Sequence, residues 1–582
     1  MKKAFQFLPF VIIIFIIITI GFSSEDKNDN NDFFTGGKIN NIKTISEEIN
    51  TLKLTDNFED VKLFNFIQSS PNAVQQNKVL KRAQNLQLNS AALNTLLKNP
   101  KENILFKIPI SKSEFLELEL TRTNVFSGDT KFSLLNSKGK TSFNFKPGLF
   151  FKGIIKDDDN SIAGISIFEN EVIGVISNKK GNFVLGKYEN GKNNNDLDYI
   201  FYKDVDLINK RGIKCGVNDN DSRLIKAYNF NKNNNPKNFD SVTPDTIRFY
   251  FEADYSVYMA YQNSIYSVPA HIAAIFLETS MLLQNIQIPT LISEVSVWTV
   301  QDPYSSLNNA LDILKLFGSQ NKDNFYGNVG HLISFGHTQT LGYDGIAWVN
   351  VLCHPYNSQD SSGRFAFYNL DTLFQGIPLY SRTVEVMTHQ TGHNIGSQHT
   401  NACIWPVEPG IIGAIDSCAP PESGNCFFQT QPDSNATIMS LCDLYGGVIN
   451  LGLGFGPLPS DTLQFCYTHA PCISHFVHST EYPESFLLGQ NFPNPFNPGT
   501  QIQFGVPSNA AYLTLKVFDI TGREVARLLN SQPYSKGYYT VNFNASNYSL
   551  SSGVYFYQII ANDIANSNNT IFIQTRKMIL TK

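Results

Sequence analysis

The sequence predicts a multidomain protein with a β-rich N-terminal region, a central α/β domain and a C-terminal all-β sandwich. Its 582 residues exceed what one hydrophobic core usually holds, and the length suggests about three or four domains. Between residues 115 and 187, short apolar segments alternate with Gly, Asn and Asp turns, which is typical of strands. Strands alternate with helices between residues 246 and 394, which indicates an α/β sheet. From residue 486 onward, short alternating strands follow one another closely, which favours a β-sandwich.

The composition argues against one broad class of partner. The formal net charge is −5, and charged residues make up only 16% of the chain. A nucleic-acid-binding protein needs a basic surface that attracts phosphate, so no nucleic-acid partner is expected. Loops rich in Asp and Asn offer oxygen ligands for calcium, but their spacing supports no calcium site.

The N-terminus has the three parts of a secretory signal peptide. Two lysines precede an apolar run at residues 7–22, and two serines follow it. This pattern predicts a signal peptide at residues 1–24 that is removed on export, so the membrane is met only transiently. The run is near the lower length limit for a spanning helix, and an uncleaved membrane anchor is the alternative.

The region after the signal peptide is predicted to be β-rich. Residues 25 to about 110 are polar, and an all-β unit then continues to about residue 205. Its predicted strands are Phe115–Leu120, 149–155, 161–168, 171–176 and 182–187. Residues 229–245 are rich in Asn, Lys and Pro, which predicts a linker and a natural cleavage region.

The central domain is predicted to alternate strands with helices. The predicted strands are Thr246–Ala253, Leu291–Trp298 and Asn328–Phe335, and the predicted helices are Val257–Leu283, Leu307–Phe317 and Val384–Asn394. After residue 396 the chain is rich in cysteines and loops.

The most informative segment is HQTGHNIGSQH at residues 389–399. Residues four apart lie on one face of a helix, so His389 and His393 can bind one metal ion. Gly396 suits a sharp turn out of the helix, and this turn returns His399 as a third ligand. Three protein ligands leave one position open, which is the arrangement of a catalytic zinc. A lone HxxxH pair is common by chance, but the added glycine and histidine favour a metal site.

The position that usually carries the catalytic base is occupied by Gln390. In the pattern HExxHxxGxxH, a Glu beside the first His takes a proton from the zinc-bound water. An amide resembles a carboxylate in shape but does not accept a proton near neutral pH. General-base catalysis contributes about 10²–10⁴-fold, so the sequence predicts zinc binding with weak hydrolysis.

At this motif the chain resembles the metzincin clan of zinc endopeptidases, and within it the adamalysin/reprolysin (M12B-like) group, over residues 242–475. The segment ATIMS around Met439 is similar to the Met-turn that lies beneath the zinc in that family. GIAWV at residues 345–349 resembles the segment after the substrate-binding edge strand, which would be Asn328–Phe335. The resemblance implies a metalloendopeptidase domain at residues 241–480 with one zinc ion. It also implies an extended peptide or protein substrate that pairs with the edge strand.

The sequence KCGV at residues 214–217 resembles the cysteine switch of reprolysin propeptides. The resemblance implies that residues 25–240 are a propeptide. It also implies that a Cys215 thiolate takes the open zinc position until the propeptide is cut. The alternative is an incidental reduced cysteine.

Seven of the eight cysteines lie between residues 353 and 472, and export makes disulfides feasible there. The family resemblance implies two pairings: Cys353 with a cysteine near the domain end, and Cys403 with Cys442. Their closeness in the chain suggests a third: Cys418 with Cys426. Because seven is odd, Cys466 or Cys472 is expected to stay outside the disulfides, although the connectivity does not follow from sequence alone.

The C-terminal residues 481–582 carry a second set of motifs. QNFPNPFNP, DITGREV, SGVYFY and a terminal RKMIL occur in this order, and they closely resemble the type A sorting domain of the type IX secretion system. The resemblance implies an Ig-like sandwich that addresses the protein to the outer-membrane translocon, and therefore a secreted or cell-surface location. The alternative is an ordinary Ig-like adhesive module.

These patterns support one main function and two alternatives. The first is a secreted zinc metalloendopeptidase made as a zymogen, with activity crippled by Gln390. The second is a zinc-binding pseudoprotease that acts as a surface module for peptides or proteins. The third, a structural or adhesive protein, requires coincidental ligands. No acid that replaces the missing base is evident; His331 and His337 could approach the cleft, but each is expected to be a strand or loop residue.

Overall fold

The structure, a computed structural model, describes most of the chain. The described residues are 42–68, 76, 78–188, 197–208, 211–218, 246–322, 324–335, 341–370, 373–374, 376–408, 411–421, 426–430, 435–470, 472–473, 486–489, 491, 494, 496–507, 511–534, 537–563 and 569–581. The predicted signal peptide at residues 1–24 and the predicted linker at residues 229–245 lie outside them. No helix in the described ranges is both long enough and apolar enough to cross a membrane.

The described part of residues 42–208 forms two helices and twelve strands. The helices are α1 (Ile45–Thr55) and α2 (Ser90–Lys98). The strands are β1 (Glu59–Val61), β2 (Phe64–Ile67), β3 (Gln84–Leu88), β4 (Asn103–Pro109), β5 (Phe115–Thr123), β6 (Phe126–Asn136), β7 (Gly139–Ser142), β8 (Leu149–Ile155), β9 (Asp158–Ile167), β10 (Val172–Asn178), β11 (Gly181–Lys187) and β12 (Asp198–Lys203), with a 3₁₀ turn at Asp204–Asp206. Ten strands form one sheet in the order β1-β4-β5-β8-β9-β10-β11-β12-β3-β2. The five strands predicted in this region are confirmed as β5 and β8 to β11.

Both faces of the ten-stranded sheet are buried, which explains the nearly continuous apolar runs of its strands. Along β9, Ile162 faces a core that includes residues of the central domain, whereas Ala163 and Ile165 face a core made by the N-terminal region alone. The alternation continues in β10, where Val175 faces the shared core and Ile176 faces the other. The N-terminal region and the central domain are therefore packed around one common core.

The central domain places helices against a second sheet. Its strands are β13 (Ile247–Ala253), β14 (Thr290–Trp298), β15 (Val329–Phe335), β16 (Gly345–Ala347), β17 (Phe365–Leu370), β18 (Leu373–Phe374) and β19 (Ile377–Pro378). Its helices are α3 (Tyr255–Ala260), α4 (Ser267–Gln284), α5 (Ala310–Asn321) and α6 (Tyr380–Ile395). Five of these strands join two strands of the N-terminal region in the order β16-β17-β15-β13-β14-β6-β7.

The prediction that Asn328–Phe335 is the edge strand is wrong. Strand β15 lies inside the sheet, paired in parallel with both β13 and β17. Six of its seven residues are buried, as expected for a strand with neighbours on both sides and cover on both faces. The edge is formed by β16, which runs antiparallel to β17.

The predicted helix Val257–Leu283 is divided into α3 and α4. Gln262 and Asn263 lie between the two helices and have φ values of 54° and 61°. This left-handed backbone conformation interrupts a right-handed helix. The division lets α4 run along the sheet independently of α3.

The chain after α6 consists of short elements. They are β20 (Trp405–Glu408), β21 (Ile411–Asp416), β22 (Phe427–Thr430), β23 (Asn435–Ala436), β24 (Val448–Ile449) and α7 (Pro457–Thr468), with 3₁₀ turns at Cys442–Tyr445 and Leu451–Leu453. They form one sheet of three strands and one of two, and two disulfides lie within this part of the chain.

Three disulfides are present, and two of them differ from the predicted pairs. The bonds are Cys353–Cys472, Cys403–Cys426 and Cys418–Cys442. The bond from Cys353 to the domain end is confirmed, and Cys466 takes no part in a disulfide, as expected. The predicted Cys403–Cys442 and Cys418–Cys426 bonds are wrong. Strands β21 and β22 run parallel, so Cys418, after the end of β21, and Cys426, before the start of β22, lie at opposite ends of the pair.

The C-terminal region forms two sheets around its own core. Its strands are β25 (Leu487–Leu488), β26 (Gly499–Val506), β27 (Ala511–Asp519), β28 (Glu524–Tyr534), β29 (Gly537–Asn544), β30 (Gly553–Asp563) and β31 (Thr570–Leu580), with a 3₁₀ turn at Ala545–Tyr548. The sheet orders are β25-β26-β29 and β28-β27-β30-β31. Apolar side chains from both sheets, including Ile502 and Leu515, meet in one cluster. The short alternating strands predicted here are confirmed.

Candidate metal centre

Helix α6 and the turn after it carry the three histidines of the motif. All residues of the segment from His389 to Ile395 are buried. Gly396 ends the helix with a φ of 152°, and its amide donates to the carbonyl of Gly392. This left-handed conformation favours glycine, and it reverses the chain so that His399 returns to the helix.

The structure brings the three Nε2 atoms together in a nearly equilateral triangle. The distances are 3.1 Å between His389 and His393, 3.2 Å between His393 and His399, and 3.2 Å between His399 and His389. A tetrahedral zinc ion with bonds of about 2.0–2.1 Å holds nitrogen ligands about 3.3 Å apart. The triangle therefore fits one zinc ion without rearrangement.

Backbone carbonyl groups orient two of the three rings. Nδ1 of His389 lies 2.8 Å from the carbonyl oxygen of Ile438, and Nδ1 of His393 lies 2.8 Å from that of Ser397. A carbonyl accepts a hydrogen bond, so Nδ1 carries the proton and Nε2 is left with its lone pair toward the centre of the triangle. The carbonyl of His399 accepts a hydrogen bond from the indole of Trp405 at 2.8 Å, which holds His399 in place.

Met439 lies against the face of α6 that carries the ligands. It is fully buried, and a Cβ atom placed on Gly392 would lie 2.5 Å from its Sδ. The amide of Thr400, next to His399, donates to the carbonyl of Met439 at 3.0 Å. The turn around Met439 therefore supports both the helix and the segment that returns the third histidine.

The thiol of Cys215 faces the same centre. Its Sγ lies 3.5 Å from Nε2 of His393, close to the separation of about 3.6 Å that a thiolate and an imidazole have on one tetrahedral zinc. Burial opposes ionisation of this thiol, but positive charge on His393, His389 and His399, when these imidazoles are protonated, brings its pKa well below the ordinary value. The pKa of His393 is lowered, mainly by burial. Cys215 and the three histidines form one group that could hold a metal ion.

Residues 211–218, here called the Cys215 segment, pair with the edge strand. Cys215 and Gly345 form a parallel bridge. The amide of Gly216 donates to the carbonyl of Gly345, and the amide of Asp344 donates to the carbonyl of Lys214, both at 2.7 Å. The segment thus occupies the backbone groups with which an extended peptide could pair.

Asp344 anchors the segment, although no sequence motif marks it. Its buried carboxylate lies 3.2 Å from the guanidinium of Arg211 and 2.9 Å from that of Arg382 on α6. It also accepts a hydrogen bond from the amide of Lys214 at 2.8 Å. No local pattern marks this residue, because its partners lie far away in the chain.

Gln390 lies where the catalytic base is expected, and its side chain is fully buried. Its amide nitrogen donates to Sγ of Cys215 at 3.4 Å, whereas its Oε1 has no hydrogen-bond partner among the described residues. Gly345 makes room for it, because a Cβ there would lie 2.8 Å from the amide nitrogen.

His331 does not compensate for the missing base. It lies on β15, fully buried, with Nε2 3.1 Å from the side-chain oxygen of Asn394. Burial lowers its pKa to about 3, and its ring packs edge-on against Phe249. His331 is therefore a core residue of a strand, while His337 lies outside the described residues.

The buried triad of histidines is a candidate metal site, and comparison with known families indicates the kind of domain that carries it. Residues 243–443 match the model of metallo-peptidase family M12, and residues 490–574 match the model of a secretion system C-terminal sorting domain. The chain therefore contains an M12 metallopeptidase domain and a secretion-system sorting domain.

Solved structures with similarity to the chain include three bacterial proteins. Metalloproteinase-II from Bacteroides fragilis is 12% identical over 53% of this chain and 85% of its own, with a TM-score of 0.32. Latent PorU from Porphyromonas gingivalis is 18% identical over 17% of this chain and 9% of its own, with a TM-score of 0.14. OgpA from Akkermansia muciniphila is 10% identical over 61% of this chain and 97% of its own, with a TM-score of 0.18.

Proposed function

We propose that the chain is the precursor of an exported zinc-dependent endopeptidase of the metzincin type, kept latent by Cys215 and strongly impaired by Gln390. The observation that carries the proposal is the triangle of Nε2 atoms on His389, His393 and His399, with sides of 3.1–3.2 Å. These residues would hold the ion, and Met439 would support them by packing against Gly392 on α6. Zinc in this site would supply the Lewis acidity for hydrolysis of a peptide bond.

The chain's own residues provide the binding surface for a peptide. Strand β16 is an edge strand, and the carbonyl of Gly345 and the amide of Asp344 point away from the sheet toward the Cys215 segment. An extended substrate can use the same two groups once that segment has left. This supports a peptide or protein substrate rather than a small molecule.

Latency is proposed from the position of Cys215. Its Sγ stands at the distance expected of a fourth ligand, 3.5 Å from Nε2 of His393. A thiolate there keeps water and substrate away from the metal. The segment that carries it precedes the predicted cleavage region at residues 229–245, so a cut there would separate the switch in sequence from the domain that follows.

Gln390 determines how much hydrolysis remains. A carboxylate at this place holds and releases the proton that moves during hydrolysis, and an amide does not. The expected loss is about 10²–10⁴-fold. The same residue favours the alternative function, a zinc-binding pseudoprotease that acts as a surface peptide- or protein-binding module, because the edge strand and the ligand triangle are intact while the base is absent.

Export is proposed to follow two signals. Residues 1–24 would direct the chain across the inner membrane, and the C-terminal sorting domain would engage the type IX translocon. The protein would then reach the cell surface or the surroundings, with only transient membrane contact.

The experiment uses four forms of the chain: the parent, Gln390→Glu, Cys215→Ala and the double variant. Purified protein should contain about one zinc per chain in every form, measured by inductively coupled plasma mass spectrometry. Casein cleavage should be about 10²–10⁴-fold faster in the double variant than in Cys215→Ala alone. Zinc in all forms with no cleavage in the double variant would sink the peptidase proposal and leave the binding module. Absence of zinc from every form would contradict both the peptidase proposal and the zinc-binding alternative.

A further inference from the structure

We propose that residues 42–208 are a permanent part of the peptidase unit. After a cut between residues 218 and 246, they stay bound and only the Cys215 segment leaves the metal centre. The association of residues 42–208 with the chain from residue 246 onward does not depend on whether the metal centre is catalytic. It rests on three separate areas of contact between residues 42–208 and the chain from residue 246 onward.

The first contact is a shared sheet. Strand β6 pairs in parallel with β14, with Phe132 opposite Val295 and Leu135 opposite Trp298. The hydroxyl of Thr130 donates to the carbonyl of Ile292 at 2.8 Å. Strand β14 would become a bare edge without β6, and a bare edge with unpaired backbone groups invites aggregation.

The second contact is the far side of helix α4. Fifteen of its eighteen residues are buried, and a helix that is apolar on all sides must be covered on all sides. The covering surface includes β9, where Gly164 lies so close to Glu278 that a Cβ atom would overlap its carboxylate. Nearby, Lys152 on β8 donates to the side chain of Gln284 at 2.9 Å. Removal of the N-terminal region would expose this apolar face to water.

The third contact is a buried polar network. The hydroxyl of Ser177 accepts a hydrogen bond from the amide of Gly452 at 2.7 Å, and the side-chain oxygen of Asn182 accepts from the amide of Leu451 at 2.9 Å. In return, Asn450 donates to the carbonyl of Asn178 at 2.9 Å. Ser177, Asn182 and Asn450 are no more than 1% exposed. Paired polar groups this deeply buried fix one relative position of the two parts.

The Cys215 segment is held differently. Arg211, Lys214 and Asn218 are exposed, and only part of the segment is buried. Its anchors are the edge-strand hydrogen bonds, the carboxylate of Asp344 and the metal centre. The carboxylate of Asp443 also accepts from the amide of Ile213 at 2.6 Å, and the guanidinium of Arg382 donates to the carbonyls of Arg211 and Gly212. A cut after Asn218 would free one end of this segment while the three areas above remain intact. Displacement of the segment alone therefore suffices to open the centre.

No disulfide would keep the two fragments together after a cut. All three disulfides lie between residues 353 and 472, so the fragments on either side of a cut at 219–245 are joined by non-covalent contacts only. The test replaces residues 231–236 of the full chain with the recognition sequence of a site-specific protease. A second chain carries Cys215→Ser as well, which removes the thiol from the metal centre.

After cleavage, size-exclusion chromatography separates bound from released fragments. Nearly all of the N-terminal fragment should elute with the C-terminal fragment, at the volume of the uncut chain, in both proteins. Chelation of zinc with 1,10-phenanthroline should not change this, because the three contacts do not include the metal. Two separate peaks in native buffer would overturn the proposal. So would co-elution that depends on Cys215 or on zinc, since the Cys215 segment would then be the only link.

A matched pair of variants tests whether the interface itself holds the fragments. Gly164→Ala puts a methyl group into Glu278, whereas Gly128→Ala, on β6, puts one into open space. The cut Gly164→Ala protein should dissociate at a lower urea concentration than the cut parent, and the cut Gly128→Ala protein should match the parent. Equal behaviour of both variants would contradict the assignment of the contact. Co-elution of the cut parent decides the proposal even if Gly164→Ala fails to fold.

Discussion

The side-chain amide of Gln390 donates a hydrogen bond to Sγ of Cys215, with 3.4 Å between nitrogen and sulfur. The residue in the place of the catalytic base therefore also contacts the group proposed to block the metal centre. A carboxylate at this position has no proton to donate and carries the same sign of charge as a thiolate. The substitution at position 390 should thus affect latency as well as catalysis.

Replacing this amide should loosen the Cys215 segment. In the uncut Gln390→Glu chain with zinc, iodoacetamide should alkylate Cys215 about tenfold faster or more than in the parent. The reason is that a hydrogen bond to a charged group contributes about 1.5–3 kcal/mol. Mass spectrometry of the Cys215 peptide measures the rate. Cys466 serves as a slow internal reference, because burial raises the pKa of its thiol to about 12.

The control for this experiment is Gln359→Glu, which adds the same charge at an exposed position. It should leave the alkylation rate of Cys215 unchanged. If Gln390→Glu and the parent react equally fast, the hydrogen bond to Cys215 contributes nothing to latency.

Gly392→Ala should weaken the metal centre through Met439. Alanine favours a helix over glycine by about 1 kcal/mol, but the new methyl group would meet Sδ of Met439 at 2.5 Å. Overpacking of this kind costs about 1–3 kcal/mol, so we expect a net loss of stability of up to about 2 kcal/mol. Urea unfolding and zinc titration measure the two effects. Gly499→Ala, where a Cβ has open space, is the control. If Gly392→Ala stabilises the protein instead, the turn around Met439 can move to accept the methyl group at no measurable cost.

Asp254 should make stability depend on pH. Burial raises the pKa of this carboxyl group from its ordinary value to about 7, and the neighbouring carboxylate of Asp302 adds to the increase. The folded chain keeps a proton that the unfolded chain has already lost, so the stabilisation is complete below about pH 4. It is lost as the pH rises toward 7, with a slope that approaches about 1.4 kcal/mol per pH unit.

The measurement compares Asp254→Asn with the parent by urea unfolding at pH 5 and pH 8. Asparagine still caps α3, since its side-chain oxygen can accept from the amide of Val257 as Asp254 does at 3.1 Å. The variant should therefore show a smaller loss of stability between the two pH values. Parallel losses in both proteins would mean that Asp254 does not titrate in this range.

The disulfides should contribute unequally to stability. Cys353–Cys472 spans 119 positions and Cys418–Cys442 spans 24. In the chain-entropy model, loops of these lengths correspond to about 5 and about 3 kcal/mol. Urea unfolding of the two double serine variants measures the difference, and peptide mapping should recover Cys403 linked to Cys426. An equal effect of the two bonds would argue against the chain-entropy account.

The convergence of the three histidines was predictable because its signal is local. His389 and His393 share one face of one helix, and Gly396 is needed at the turn that returns His399. The two N-terminal helices also had local signals: Thr44 and Glu47 form a capping box at the start of α1, and the side chain of Asn89 caps α2. The polar composition of residues 25–110 predicts neither helix.

Features that depend on distant segments were not predictable in the same way. The position of β15 inside the sheet depends on the order of strands, which no single strand encodes. The separation of Cys418 from Cys426 depends on the parallel course of β21 and β22. Asp344 meets Arg211 across 133 positions, and nothing near either residue in the chain indicates the other.

The pairing of β6 with β14 also affects how the protein forms. Thr130 and Ile292 are 162 positions apart, so the N-terminal strands emerge long before their partner has been synthesised or exported. Contacts between such distant positions slow folding, because the chain must close a long loop before the contact stabilises it. The sheet can reach its final form only when the chain beyond Trp298 is available. Until then the backbone groups of β6 that face β14 have no partner strand.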